Sequence, residues 1–76
     1  MTETTALTII ADILGLTKVD PDESLSDLGA DALTLIEIAM EIEDATNGCI
    51  DDEDIEKWDT VQDVVTAWDK LVAEQS

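Results

Sequence analysis

Val61, Val64, Val65, Trp68, Leu71 and Val72 follow one another at steps of three, one, three, three and one residues. An α-helix turns ~100° per residue, so these steps put all six on a single stripe. A strand would scatter them over both of its faces. Thr60 stands just before the stripe and can cap it. The chain must therefore build a helix here and bury one side of it. The N-terminal segment TETTALTIIADILGLT repeats the theme. Leu7, Ile10, Ile13 and Leu14 recur at helical spacing, the threonines are cap-competent, and Gly15 is a good stop. This predicts a helix over about residues 3–14. No segment shows the signals of a strand.

The segment LGADALTLIEIAMEIED holds a third helix. Asp31 can cap it, its span is about Ala32 to Asn47, and Gly48 is the expected stop. On this helix Thr34, Glu37, Glu41 and Asp44 share one narrow face. Leu35, Ala39 and Ile42 lie roughly opposite. Leu33, Ile36 and Met40 form a second apolar strip beside the acidic face. The helix thus has more apolar surface than one core contact needs. Glu43 falls on the apolar side and marks an edge of the packed region. DDEDIEKW predicts a short helix with carboxylates in its first turn, where they suit the positive end of the helix dipole. The stretch from Gly15 to Asp31 is long for a loop. Asp20-Pro21 signals a turn within it, and Leu16, Val19, Leu25 and Leu28 should pin it to the bundle. The sum is one all-α domain over residues 1–76, with three main helices, a short one, and a long first loop.

Charge narrows the function. Three lysines, no arginine and 20 acidic residues give a net charge of −17 over 76 residues. Such a chain cannot neutralise phosphates, so no nucleic-acid partner is expected. An anionic membrane surface is disfavoured for the same reason. Basic protein partners are favoured, with association that weakens as salt rises. The single cysteine, Cys49, cannot form an intramolecular disulfide, which fits a reducing compartment. It reads as a small loop or core filler, because no His or Arg is present to activate it. Trp58 and Trp68 read as core or core-edge packing. MTETTALTII lacks a basic leader region, and the apolar runs fall short of the ~20 residues that span a bilayer. DDEDIE lacks the spacing of an EF-hand, so no dedicated metal site is expected. Without histidine, and with exposed carboxylates, an enzyme is disfavoured.

Two stretches carry a family resemblance. DESLSDLGADALTLIEIAMEIED closely resembles the acyl carrier protein signature, in which D-S-L follows L-G-x. IDDEDIEKWDTVQDVVTAW resembles the third and fourth helices of that family, including the T-V-Q start of the last one. The likeness spans roughly Leu7 to Leu71. It implies an antiparallel four-helix bundle with a short third helix. It also implies a carrier, in which a transferase esterifies a serine at the start of helix 2 with 4′-phosphopantetheine from coenzyme A. The thiol of that arm carries acyl or related chains in fatty acid, lipid or polyketide biosynthesis. By this resemblance the attachment position is Ala32, flanked by Asp31 and Leu33. The partner-facing positions are Leu33, Ile36, Glu37, Met40, Glu41 and Asp44. The implied partners are a phosphopantetheinyl transferase and acyl-chain enzymes with basic docking surfaces. A cytoplasmic monomer is expected.

Position 32 departs from the pattern. Alanine has no nucleophile. Ser24 and Ser26 lie upstream in the loop, and Thr34 is rotated ~200° around the helix. Two readings follow. In one, alanine replaces the serine of a carrier and locks it in its unmodified form. In the other, this is a natural carrier-like acidic module that binds partners without any prosthetic group.

Overall fold

The computed structural model describes residues 6–75. Four helices follow in chain order: α1 (Ala6–Leu14), α2 (Ala32–Thr46), α3 (Asp52–Glu56) and α4 (Val61–Gln75). Among the described residues there is no strand, only an isolated bridge between Ser24 and Thr60. The architecture is the expected all-α bundle. Helix α2 is its hub, packing against α1, α3 and α4, while α1 also packs on α4. The expected start of the first helix, at residues 3–5, lies outside the described residues.

Gly15 ends α1 as its position predicts. Its φ is +71°. Leu16 N–H donates to the Ala11 carbonyl at 2.8 Å, and Gly15 N–H to that of Asp12 at 3.3 Å. This reciprocal pair satisfies two of the carbonyls that a helix end leaves open.

The long connection is an ordered part of the bundle. Val19 and Leu25 are buried, and Leu28 packs half-buried against the core. Leu16 does not share this role, because it turns outward after the α1 stop. The connection also caps α4. The Glu23 carbonyl accepts from Val61 N–H and the Pro21 carbonyl from Gln62 N–H, both at 2.9 Å. The first amides of a helix have no partner within it, so the loop supplies what the helix lacks. Asp63 adds to the cap, its Oδ2 accepting from Asp59 N–H at 2.9 Å and Thr60 N–H at 3.1 Å.

Ile10, Ile38, Ile42, Val61 and Val64 are fully enclosed, so α1, α2 and α4 all feed one core. Ile55 brings α3 to it, and Trp58 is buried while Trp68 is half-buried at the edge. Cys49 takes the loop place among its two expected ones, exposed after α2. Two further expectations need correction. Val72 is exposed although it continues the α4 stripe, because it lies beyond the packed length of the helix face. Gly48 is not the stop of α2. The left-handed residue is Asn47, with φ 57° and ψ 26°. Asparagine tolerates that conformation because its short polar side chain can bond locally. Gly48 serves closeness instead: a Cβ there would lie 2.7 Å from Leu71 Cδ2.

Candidate functional site

The turn at Gly29, with φ +91°, delivers the chain to the start of α2. Ala30 N–H donates to the Leu25 carbonyl at 3.0 Å and fixes that turn to the buried Leu25. Asp31 then takes an extended backbone and caps the helix. Its Oδ1 accepts from Thr34 N–H at 2.8 Å and from the Thr34 hydroxyl at 2.9 Å. The Thr34 amide, and then its hydroxyl, hold the Asp31 carboxyl below the ordinary 3.8. Thr34 is therefore committed to the cap and does not extend the acidic face outward. Ala32 is exposed at the first position of α2, and its side chain ends at Cβ. The Ser24 and Ser26 hydroxyls lie 3.3 Å from each other in the preceding loop.

The face of α2 beyond this point is open. Leu33, Ile36 and Met40 are 65%, 45% and 60% exposed. Glu37, Glu41 and Asp44 are exposed beside them. Among the described residues, no hydrogen bond or ion pair engages those three carboxylates. The opposite side is spent on the core, where Ala39 and Ile42 are buried and Leu35 is half-buried.

Two α2 residues have roles that the helical wheel left out. Ile38 is fully buried; its place one turn from both Leu35 and Ile42 carries that signal. Thr46 is buried at the helix end. Its hydroxyl donates to the Ile42 carbonyl at 2.7 Å and accepts from Gly48 N–H at 3.3 Å. Glu43 does mark an edge, and it does so by a bond. Its Oε2 accepts from Ile50 N–H at 2.7 Å and ties the following loop back to α2.

A cleft of about 260 Å³ opens beside Ala32. Leu35, Ile36 and Ala32 line one side, and Asp52, Ile55 and Glu56 of α3 the other. Its shape depends on where α3 packs against α2. Among the described residues, no three acidic, thiol or imidazole side chains converge as a metal set. No helix among them is long and apolar enough to cross a membrane.

Comparison with known proteins agrees with this arrangement. A family model described as the phosphopantetheine attachment site matches residues 5–68. The fold is similar to that of an acyl carrier protein from Thermotoga maritima, with a TM-score of 0.81 and 29% identity over 93% of this chain and 86% of that one. It is also similar to a type-II acyl carrier protein from Streptomyces verticillus involved in bleomycin biosynthesis. There the TM-score is 0.73 and the identity 22%, over 93% of this chain and 82% of the other, a likeness of fold alone. The match over residues 5–68, on four helices in this order, shows that the chain belongs to the phosphopantetheine attachment-site family, the acyl carrier proteins, which bear 4′-phosphopantetheine and are carriers rather than enzymes.

Proposed function

We propose that this chain is an acyl carrier protein whose anchor, position 32, is silenced by alanine. With serine there, it would carry acyl or related intermediates as thioesters in fatty acid, lipid or polyketide biosynthesis. One observation carries the reading. The exposed first residue of α2 sits between a fixed cap at Asp31, an apolar cleft and an open apolar–acidic face. A helix start suits a phosphodiester, because its free N–H groups and dipole favour negative charge. Asp31 and Leu33 match the residues that flank the attachment serine in the family pattern.

The residues present do not fit the arm itself. Covalent attachment needs an oxygen at position 32, and the structure offers a methyl group. What the chain retains is a docking surface. Leu33, Ile36 and Met40 give apolar contact, and Glu37, Glu41 and Asp44 steer a basic enzyme surface to it. The partners we assign are a phosphopantetheinyl transferase and acyl-chain enzymes. The cleft between α2 and α3 is placed to shelter the first part of an acyl chain. We place the protein in the cytoplasm as a single-domain monomer, since a charge of −17 opposes self-association.

The missing nucleophile supports one other reading, that of a natural carrier-shaped module which binds partners and bears no group. Intact mass separates the two. The Ala32→Ser chain and the chain as it stands are incubated with coenzyme A and a promiscuous phosphopantetheinyl transferase. Gain of one phosphopantetheine by the serine form alone is expected. No gain by either form would shift the assignment to the binding module.

A further inference from the structure

We infer that this chain, as it stands, is a blocking carrier: it occupies the basic docking surface of carrier-dependent enzymes and delivers nothing. The inference rests on the docking face proposed above and deepens it.

Anchor and docking face are separable in this molecule. The methyl of Ala32 is exposed and supports no other side chain in the core. Alanine is the best helix former, so α2 begins as firmly with it as with serine. The Asp31–Thr34 cap sets the helix start without help from position 32. The docking face begins one residue later, at Leu33, and runs about three turns to Asp44. Its carboxylates are exposed and so are open to an incoming basic surface. An enzyme that recognises the face binds before it reaches for an arm. Here that encounter ends at binding. The complex forms as it would with a loaded carrier and dissociates unproductively. Mixed with a loaded carrier, the chain then acts as a competitor whose strength follows its docking affinity. The occupant is a basic enzyme surface, by charge complementarity with a face that is apolar at its centre and acidic along one side.

The test uses the Ala32→Ser chain as substrate of a promiscuous phosphopantetheinyl transferase with coenzyme A, followed by intact mass over time. The chain as it stands is titrated in as inhibitor. Both chains present the same face, so half-inhibition should fall within about threefold of the substrate KM when the substrate is held well below it. The midpoint should rise about tenfold between ~0.05 and ~0.5 M salt, as screening shortens the reach of the carboxylates. Glu41→Lys and Glu37→Lys in the inhibitor should each weaken it about tenfold. Asp12→Lys, the same change of charge on exposed α1, should leave it within about twofold. Modification of the serine form without inhibition would overturn the inference and leave the proposed function standing. Equal weakening by Asp12→Lys would overturn it too, by showing a response to net charge alone. Failure of the serine form to be modified would remove the proposed function, and this inference with it.

Discussion

Gly48→Ala distinguishes two reasons for a glycine at the end of α2. If Gly48 held the left-handed turn, alanine would be strained by its own Cβ, at a cost of ~1–2 kcal/mol. In the structure Asn47 holds that turn, and Gly48 is needed for space. An added Cβ would lie 2.7 Å from Leu71 Cδ2, 3.3 Å from Leu71 Cγ and 3.2 Å from Thr46 Oγ1. Leu71 is buried, so it cannot simply swing into solvent. Overpacking of this kind costs about 1–3 kcal/mol. Alanine also restricts the unfolded chain, which offsets about 0.4–1 kcal/mol. The net expectation is destabilisation by about 0.5–2 kcal/mol. At ~4–8 °C per kcal/mol for a domain of this size, Tm should fall by roughly 2–16 °C. The assay is urea and thermal unfolding in high salt, read by far-UV circular dichroism and by Trp58 and Trp68 fluorescence. The decisive step repeats it on a Leu71→Ala background. With the obstructing atoms gone, Gly48→Ala should become neutral or stabilising, a coupling of about 1 kcal/mol or more. An equal cost in both backgrounds would refute the steric account and return the glycine to a backbone role.

Four further outcomes follow from the same structure. Val64→Asp should abolish folding. It forfeits ~2 kcal/mol of burial and adds several for an unpaired carboxylate, against a total stability of roughly 4–11 kcal/mol, and a cooperative melt near that of the parent chain would show that α4 is misplaced. Val65→Asp, at a half-buried site, should destabilise the chain and leave a measurable transition; a cost equal to that of Val64→Asp would contradict the burial described. The amides of Asp59 and Thr60 hold the Asp63 carboxyl below the ordinary 3.8, so its contribution is complete above that value and is lost as pH falls through the lowered one. In high salt the stability gap between the parent and Asp63→Ala should close below pH 3.8, and a gap unchanged at about pH 2 would refute the cap. Glu41→Lys should leave the melt unaltered while weakening docking to a carrier-dependent enzyme, and unchanged affinity at low salt would count against the α2 face.

Much of the fold was legible because amphipathic spacing survives any tertiary arrangement. The α4 stripe and the Gly15 stop needed only local rules, and the structure keeps the stop and the stripe as far as Leu71. What local rules missed is long-range. Gly48 looked like a helix stop until Leu71, 23 positions away, proved to need its space. The capping of α4 by the Pro21 and Glu23 carbonyls could not be read from α4, since the acceptors sit in another segment. Val72 and Leu16 are apolar and exposed, because pattern shows which side a residue faces but not where packing stops. The candidate site divides in the same way. Exposure of Leu33, Ile36 and Met40 follows from an α2 with more apolar surface than its core contact uses. The cleft beside Ala32 depends on the placement of α3, and five residues between two loops carry too little pattern to fix it.

The most direct measurement of the central claim locates the group rather than merely detecting it. The Ala32→Ser chain is treated with coenzyme A and a promiscuous phosphopantetheinyl transferase, digested, and the modified peptide is sequenced by tandem mass spectrometry. The account predicts one phosphopantetheine, at position 32, with Ser24, Ser26 and Thr34 untouched. Modification at one of those other hydroxyls, or at none, would contradict it.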